Sequence, residues 1–423
     1  MKKNMLIAQS GGPSSAINAS IAGAIVRGMA STKIGHVLGA VNGMQGFLDR
    51  KLINVSDQLR TSGDIDMLIH TPAHALGSSR YKIKQGDEET YKKIVEILKE
   101  YGVGYFFYNG GNDSMDTVNQ LSEYLKRTGE DIIAVGIPKT IDNDLELTDH
   151  TPGFGSAARY VAISMAELYL DTCVYPVPAC TIVEIMGRNA GWLTAASALA
   201  RDTGVPAPHL IYLPESDFDT DAFVGEAKAL IGNGGKDDGQ IVIAVSEGLR
   251  TKDGDYIADT GAAEDMFGHK TLGGVATVLE ALVKEHVPLP KLKTRAIQLS
   301  TLQRAAAHCA SQTDLDESYQ CGYRAVEAAV NGKSGVMITI TRVSDEPYLV
   351  RFDEAGLGGI ANKEKKVPPS WITKNGTDVS EEMMAYLRPL VTKPATEQME
   401  GGLPKFFRFD LGRTVKPEDV MNL

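Results

Sequence analysis

Short apolar runs alternate along this chain with stretches of helical periodicity. Met5-Leu6-Ile7-Ala8 precedes a small-residue stretch that predicts a helix from Ile17 to about Ala30. Tyr105–Tyr108 predicts another strand. It is flanked by a helix carrying Ile94, Val95, Leu98 and Tyr101 at helical spacing and by a second helix over Met115–Lys126. Further strands are expected at Ile132–Ile137, Thr181–Ile185, Leu210–Leu213, Ile241–Val245 and Ala296–Leu299, most with a helix next. Strand and helix in alternation imply a parallel sheet covered on both faces. Val336–Arg342 and Tyr348–Phe352, separated by Ser344-Asp345-Glu346-Pro347, read as a hairpin. From about Ile360 onward the pattern turns polar and proline-containing, which predicts a C-terminal extension.

The polar signatures gather where those strands end. They are Ser10-Gly11-Gly12, Asn109-Gly110-Gly111-Asn112-Asp113-Ser114, Lys139–Asp144, Met186-Gly187-Arg188, Ser246-Glu247-Gly248 and Leu302-Gln303-Arg304. Ligands of open α/β sheets bind outside the carboxyl ends of the strands, so the set outlines one extended site. Each turn alone has a plain reading beside a functional one. Gly11-Gly12 is either a tight strand–helix turn or a loop whose amides close on an anion. The Gly110–Ser114 run is either a turn N-capped by Ser114 or a place where Asn112 and Asp113 offer oxygens to Mg²⁺. Asp142–Asp144 fits an Asx-turn, although Lys139 beside it suits a phosphate as a point charge. Two carboxylates and a lysine at one strand end are costly to desolvate unless something pairs with them. Arg188 is equally a surface ion pair or a phosphate fork. Glu247 is a lysine partner or an acceptor for a sugar hydroxyl. Arg80, Arg295 and Arg304 have no local signature and default to the surface.

Composition narrows the classes. The length of 423 residues predicts two or three domains. A net charge of −11 argues against nucleic acid and anionic membrane as partners. A phosphate site is then expected to be built from backbone amides and a few placed cations. Met5–Ala8 runs straight into Gly11-Gly12, too short for a signal segment, and no apolar run approaches membrane-spanning length. The four cysteines, Cys173, Cys180, Cys309 and Cys321, lack zinc or C-x-x-C spacing. Structural thiols in a reducing, cytoplasmic setting are expected.

"PKTIDNDL", "IVEIMGRNAGW", "SEG", "GGNDS" and "GYRAVEAAVNGKSG", over roughly residues 4–340, together resemble the phosphofructokinases, and among them their pyrophosphate-dependent branch. The resemblance implies two Rossmann-like doubly wound α/β domains with mainly parallel sheets. Residues 1–145 would take the phosphoryl donor and 146–345 the sugar phosphate. Residues 346–423 would form an extension of hairpin and helical segments, placed to pack back on the first domain. The implied reaction is reversible transfer from diphosphate to the C1 hydroxyl of fructose 6-phosphate with Mg²⁺, in a homodimer or homotetramer.

The resemblance also implies roles. Asp142 matches the base that takes the C1 hydroxyl proton; Lys139, Asp113 and Arg188 complete the catalytic set. Gly12 and Arg80, with Asp113 and Lys139, match donor contacts. Thr140, Ile141, Asp142, Met186, Gly187, Arg188, Glu247, Thr301 and Arg304 match sugar-phosphate contacts. Arg295 matches an arginine that crosses a subunit interface to the 6-phosphate. Asn112 and Asp144 are the expected metal ligands. The nearest alternative is an ATP-dependent enzyme, from which Asp113 and Lys139 set this chain apart, since ATP-using relatives carry glycine at both positions. A non-catalytic regulatory subunit is the next, and Asp142 speaks against it. The chain departs from the family pattern at Asn112, where aspartate is usual, and at Ser15-Ala16, Ala179, Thr301 and Ala305-Ala306.

Overall fold

The computed structural model describes residues 2–79, 81, 83–84, 86–232, 239–258, 274–396 and 398–421. The strands β1 (Lys3–Gln9), β2 (Ile34–Ala40), β3 (Leu52–Asn54), β4 (Val103–Gly110) and β5 (Ile133–Pro138) form most of a first sheet. A second sheet holds β6 (Ala179–Ile185), β7 (Leu210–Tyr212), β8 (Gln240–Ser246) and β9 (Lys293–Gln298). The hairpin β10 (Val336–Asp345) and β11 (Tyr348–Gly356) then returns to the first sheet. Helices α1 (Ile17–Met29), α2 (Gly43–Leu48), α3 (Ser62–His70), α4 (Glu88–Glu100) and α5 (Asn112–Thr128) lie between the early strands. They are followed by α6 (Phe154–Thr172), α7 (Trp192–Ala196), α8 (Thr220–Gly232) and α9 (Val275–His286). Then come α10 (Leu302–Ala305), α11 (Gln312–Val330), α12 (Glu381–Val391) and α13 (Pro417–Val420).

The seven-stranded sheet runs β11-β10-β5-β4-β1-β2-β3, and the four-stranded sheet β7-β8-β6-β9. Within these two sheets all pairings are parallel except β10–β11 and β2–β3. Alternate residues of one strand feed different cores, because side chains point to opposite faces. Met5 and Ile7 pack with Ile21 and Ile25 of α1 and Ala325 of α11. Leu6 and Ala8 pack with Ile94 and Leu98 of α4 and Met115 and Leu121 of α5. Both faces are therefore apolar, which is why these strands read as continuous runs. The second sheet repeats the plan: Val183 and Ile185 face α6 and α12, whereas Cys180 and Ile182 face α8 and α9.

The α1–α11 contact depends on absent side chains. A Cβ on Gly23 would meet the Tyr319 carbonyl oxygen at 2.0 Å, and one on Gly322 the Ser20 carbonyl oxygen at 1.7 Å. Two glycines thus let the helix backbones touch.

The sheets divide the chain differently from the expected boundary at 345. Val336 and Met337 of β10 pair parallel with Val135 and Gly136 of β5, so the hairpin extends the first sheet. Periodicity identifies a hairpin but not the sheet edge it joins. The extension packs on both units rather than on the first alone. Leu357, Ile360 and Val420 enter a core of the first sheet. Met383, Leu387 and Leu390 of α12 enter the core around α6.

Candidate active site

The polar turns converge at the carboxyl ends of both sheets. On the first sheet, the Ser10 amide donates to the Asn109 carbonyl (2.9 Å) and the Lys139 amide to the Gly110 carbonyl (3.0 Å). The turns after β1, β4 and β5 are thereby tied side by side. The Lys139 side chain is buried, at 4% exposure, and its Nζ donates to the Gly12 carbonyl at 2.9 Å. Burial lowers its pKa to about 8, against the opposing pull of Asp142 and Asp144. A turn carrying a buried cation at a glycine loop is suited to an anion. Gly11 adopts φ +81, and its carbonyl accepts from Ser78 Oγ at 3.0 Å.

Asp142 follows on the same turn, where its amide donates to Thr140 Oγ1 at 3.1 Å. Burial, then the nearby Glu247 charge, raises its pKa well above the ordinary carboxylate range, opposed by Lys139 and Arg188. Asp144 is raised as well, by burial and by Asp142. Between them Asn143 takes a left-handed conformation, φ 56, and is fully buried. Asparagine tolerates that region better than most residues. The two acids thus stand on either side of an inward-pointing residue.

On the second sheet, Gly187 has φ +123 and a Cβ there would meet the Ala190 carbonyl at 2.4 Å, so only glycine fits. Its amide donates to Glu247 Oε1 at 3.3 Å, and its carbonyl accepts from Ser246 Oγ at 2.6 Å. The Met186 amide donates to Gln303 Oε1 at 3.1 Å. Burial raises the Glu247 pKa, against the pull of Arg188. Arg188 Nε is buried with no hydrogen-bond partner, and an unmet buried donor marks a place for an acceptor.

Two oxygens are similarly orphaned: Asn112 Oδ1 and Asp144 Oδ1 are both buried without a hydrogen-bond partner. They are the donor class that Mg²⁺ takes, and both border one segment: Asn112 Nδ2 donates to the Lys363 carbonyl at 2.6 Å. The Lys365 amide donates to the Asp144 carbonyl at 2.8 Å. These residues fit the ion. Among the described residues no group of three or more His, Cys, Asp or Glu side chains forms a metal cage. An ion here needs further oxygens from a ligand, as Mg²⁺ bridging protein and phosphate does.

This arrangement has counterparts. A phosphofructokinase family model matches residues 4–329. The chain belongs to the phosphofructokinase family. It is 41% identical over 409 residues to a pyrophosphate–fructose 6-phosphate 1-phosphotransferase of Halomonas elongata, covering 95% of each chain. The crystal structure of a pyrophosphate-dependent phosphofructokinase from Marinobacter aquaeolei superimposes with TM-score 0.85 at 37% identity, covering 96% of both chains. That of a pyrophosphate-dependent phosphofructokinase from Nitrosospira multiformis gives TM-score 0.87 at 36% identity, covering 98% of this chain and 97% of that one.

Among the residues singled out by sequence, Gly12, Lys139, Thr140, Asp142, Asp144, Arg188, Gly187 and Glu247 are drawn together by bonds or charge. Asp113 lies in the first turn of α5. Ser114 does not cap that helix; it begins at Asn112 behind Gly111. Ile141 is buried in the core around Phe154. Met186 is packed at the edge of the same core. Arg304 faces the donor turn: its Nη1 lies 3.4 Å from a Cβ built on Gly12. Thr301 is exposed at the start of α10. Arg295 is on the edge strand β9, paired with Asp171 at the surface. Arg80 lies outside the described residues.

Sequence reasoning missed His74 and gave Gln303 no role. His74 Nε2 lies 3.4 Å from the Ser10 carbonyl, and burial with Lys139 and Arg304 nearby lowers its pKa to about 3. Its imidazole is therefore neutral beside two cations. A lone histidine in a Thr-Pro-Ala-His loop carries no signal of this.

Proposed function

We propose that this enzyme transfers a phosphoryl group reversibly from diphosphate to the C1 hydroxyl of fructose 6-phosphate, giving fructose 1,6-bisphosphate and phosphate. The observation that carries the reading is the buried Lys139 ammonium on the Gly12 carbonyl, one turn from Asp142. A leaving phosphate without a nucleoside has to be held by charge, and phosphoryl transfer depends chiefly on positioning and charge neutralisation. Asp113 in the first turn of α5 adds bulk and like charge where a nucleotide's α-phosphate would run.

Asp142 takes the proton from O1 of the sugar as O1 attacks the terminal phosphorus; a carboxylate with a raised pKa suits that task near neutral pH. The bond to the departing phosphate breaks as Lys139 offsets its charge, with Arg188 on the transferring group. Glu247 accepts from sugar hydroxyls, and Gln303 holds the Met186 amide and with it the loop. Asn112 and Asp144 would hold Mg²⁺, which would supply neutralisation of phosphate charge when bound. Arg295, on the exposed edge strand β9, reaches a neighbouring subunit in a homodimer or homotetramer. Cys180 and Cys321 are buried free thiols, in keeping with a cytoplasmic setting.

The test is phosphorylation of fructose 6-phosphate with diphosphate against ATP, each with Mg²⁺. Preference for ATP would overturn the donor assignment.

A further inference from the structure

Residues beyond 329, where the family match ends, reach into the site. Lys365 lies in the extension, yet its Nζ donates to the carbonyls of Asp149 (2.7 Å) and Thr148 (3.1 Å) and to Asn143 Oδ1 (3.4 Å). Tyr386 of α12 completes the grip: its hydroxyl donates to the Asp149 carbonyl at 2.7 Å and accepts from Asn143 Nδ2 at 2.8 Å. Asn143 is therefore held at both ends of its amide, in the left-handed conformation that separates Asp142 from Asp144. The anchor is itself fixed, because Asp149 Oδ1 lies 3.0 Å from Arg342 and 2.7 Å from His150.

The same segment touches the other two loops. The Lys363 carbonyl accepts from Asn112, at the start of α5. Glu364 Oε1 accepts from Asn189 Nδ2 at 2.8 Å, next to Arg188. Trp192 Nε1 donates to the Lys365 carbonyl at 3.0 Å. Three loops from two sheets thus share one strand of chain, which meets the proposed ion-holding residues at the Asn112 side chain and the Asp144 carbonyl.

We propose that the segment 363–365, backed by Tyr386, is a strap that sets the mutual positions of the Asn112, Asp142–Asp144 and Arg188 loops for phosphoryl transfer. Lys365 and Tyr386 are positioning residues, acting through Asn143. This rests on the reaction proposed above. In-line transfer is sensitive to placement: a displacement of about 1 Å can cost on the order of 100-fold in rate.

The test uses Tyr386→Phe, Lys365→Met and Lys365→Arg in the full chain, with two readouts. In steady-state assays with diphosphate, Tyr386→Phe and Lys365→Met should each lower kcat about 10- to 100-fold. The KM of both substrates should stay within about threefold, and Lys365→Arg should recover part of the loss. In hydrogen exchange, backbone amides of 140–149 should lose protection in Tyr386→Phe while β1 and β4 keep theirs. Unchanged kcat in Tyr386→Phe, or unchanged exchange over 140–149, would overturn the strap. So would a kcat loss matched by global loss of protection. Wild-type protein that turns over no diphosphate would overturn the reaction instead, leaving the exchange result to judge the strap.

Discussion

Replacing Asp142 by asparagine should separate activity from stability. The amide keeps the size of the carboxylate, and the backbone bond to Thr140 is untouched, but it accepts no proton. Loss of a general base costs about 10²–10⁴ in rate. The upper half of that range is expected here because the neighbouring carboxylates have other roles, Asp144 as the proposed Mg²⁺ ligand. Glu247, the carboxylate acting most strongly on Asp142, is bonded to the Gly187 amide. A loss of about 10³–10⁴ in kcat corresponds to roughly 4–5 kcal/mol in the barrier. Stability should move the other way. Burial raises the Asp142 pKa, so the folded state binds that proton more tightly than the unfolded chain does. Stability linked to Asp142 is full below the unfolded-chain pKa and is lost as pH climbs through the raised folded value. A neutral amide at this position escapes that loss. Asp142→Asn should therefore melt higher than wild type at pH 8, with the gap closing towards pH 4. The assays are kcat in both directions and thermal unfolding across pH. A variant within threefold of wild-type kcat would remove Asp142 from the proton transfer. Equal melting at pH 8 would show that its ionised form carries no net cost.

Other outcomes follow from the same geometry. Lys139, held down to about 8 by burial, should impose a decline in kcat/KM for diphosphate as pH rises through that value. Lys139→Arg, charged throughout, should abolish the limb, and a limb that persists would assign it elsewhere. Asp113→Gly should admit measurable ATP-dependent turnover, whereas Lys139→Gly should depress diphosphate use without creating any; an unchanged donor ratio in Asp113→Gly would clear Asp113 as discriminator. Arg295→Ala should raise KM for fructose 6-phosphate and spare diphosphate, and mixing it with Asp142→Asn should restore activity after subunit exchange. No hybrid activity despite verified exchange would refute the cross-subunit role.

The sequence was most legible where burial left no choice. β1 and β4 are buried on both faces and appear as unbroken apolar runs. β2 escaped notice because Gly35 and His36 sit half-exposed within it and dilute the pattern. At the site, Lys139 and Asp142 stood out because charge beside a buried strand is costly without a purpose. The reach of Lys365 and Tyr386 to Asn143 was invisible: 222 and 243 residues separate the partners, and nothing local announces so distant a bond. The hairpin was visible, its place was not, since register with β5 is a property of two segments together.

The return of β10 to the edge of β5 has a consequence for how the polypeptide is made. The Ala134 amide is bonded to Ser334, 200 residues later, yet β6 to β9 are all synthesised between them. A growing chain on the ribosome therefore carries an incomplete first sheet, with one flank of β5 unpaired, while the second sheet has all its strands in hand. An open strand flank is a template for wrong pairing, and contacts so far apart in sequence form slowly. The nascent protein should thus complete the strands of its second sheet before those of its first. Its most aggregation-prone interval then falls before the hairpin has emerged.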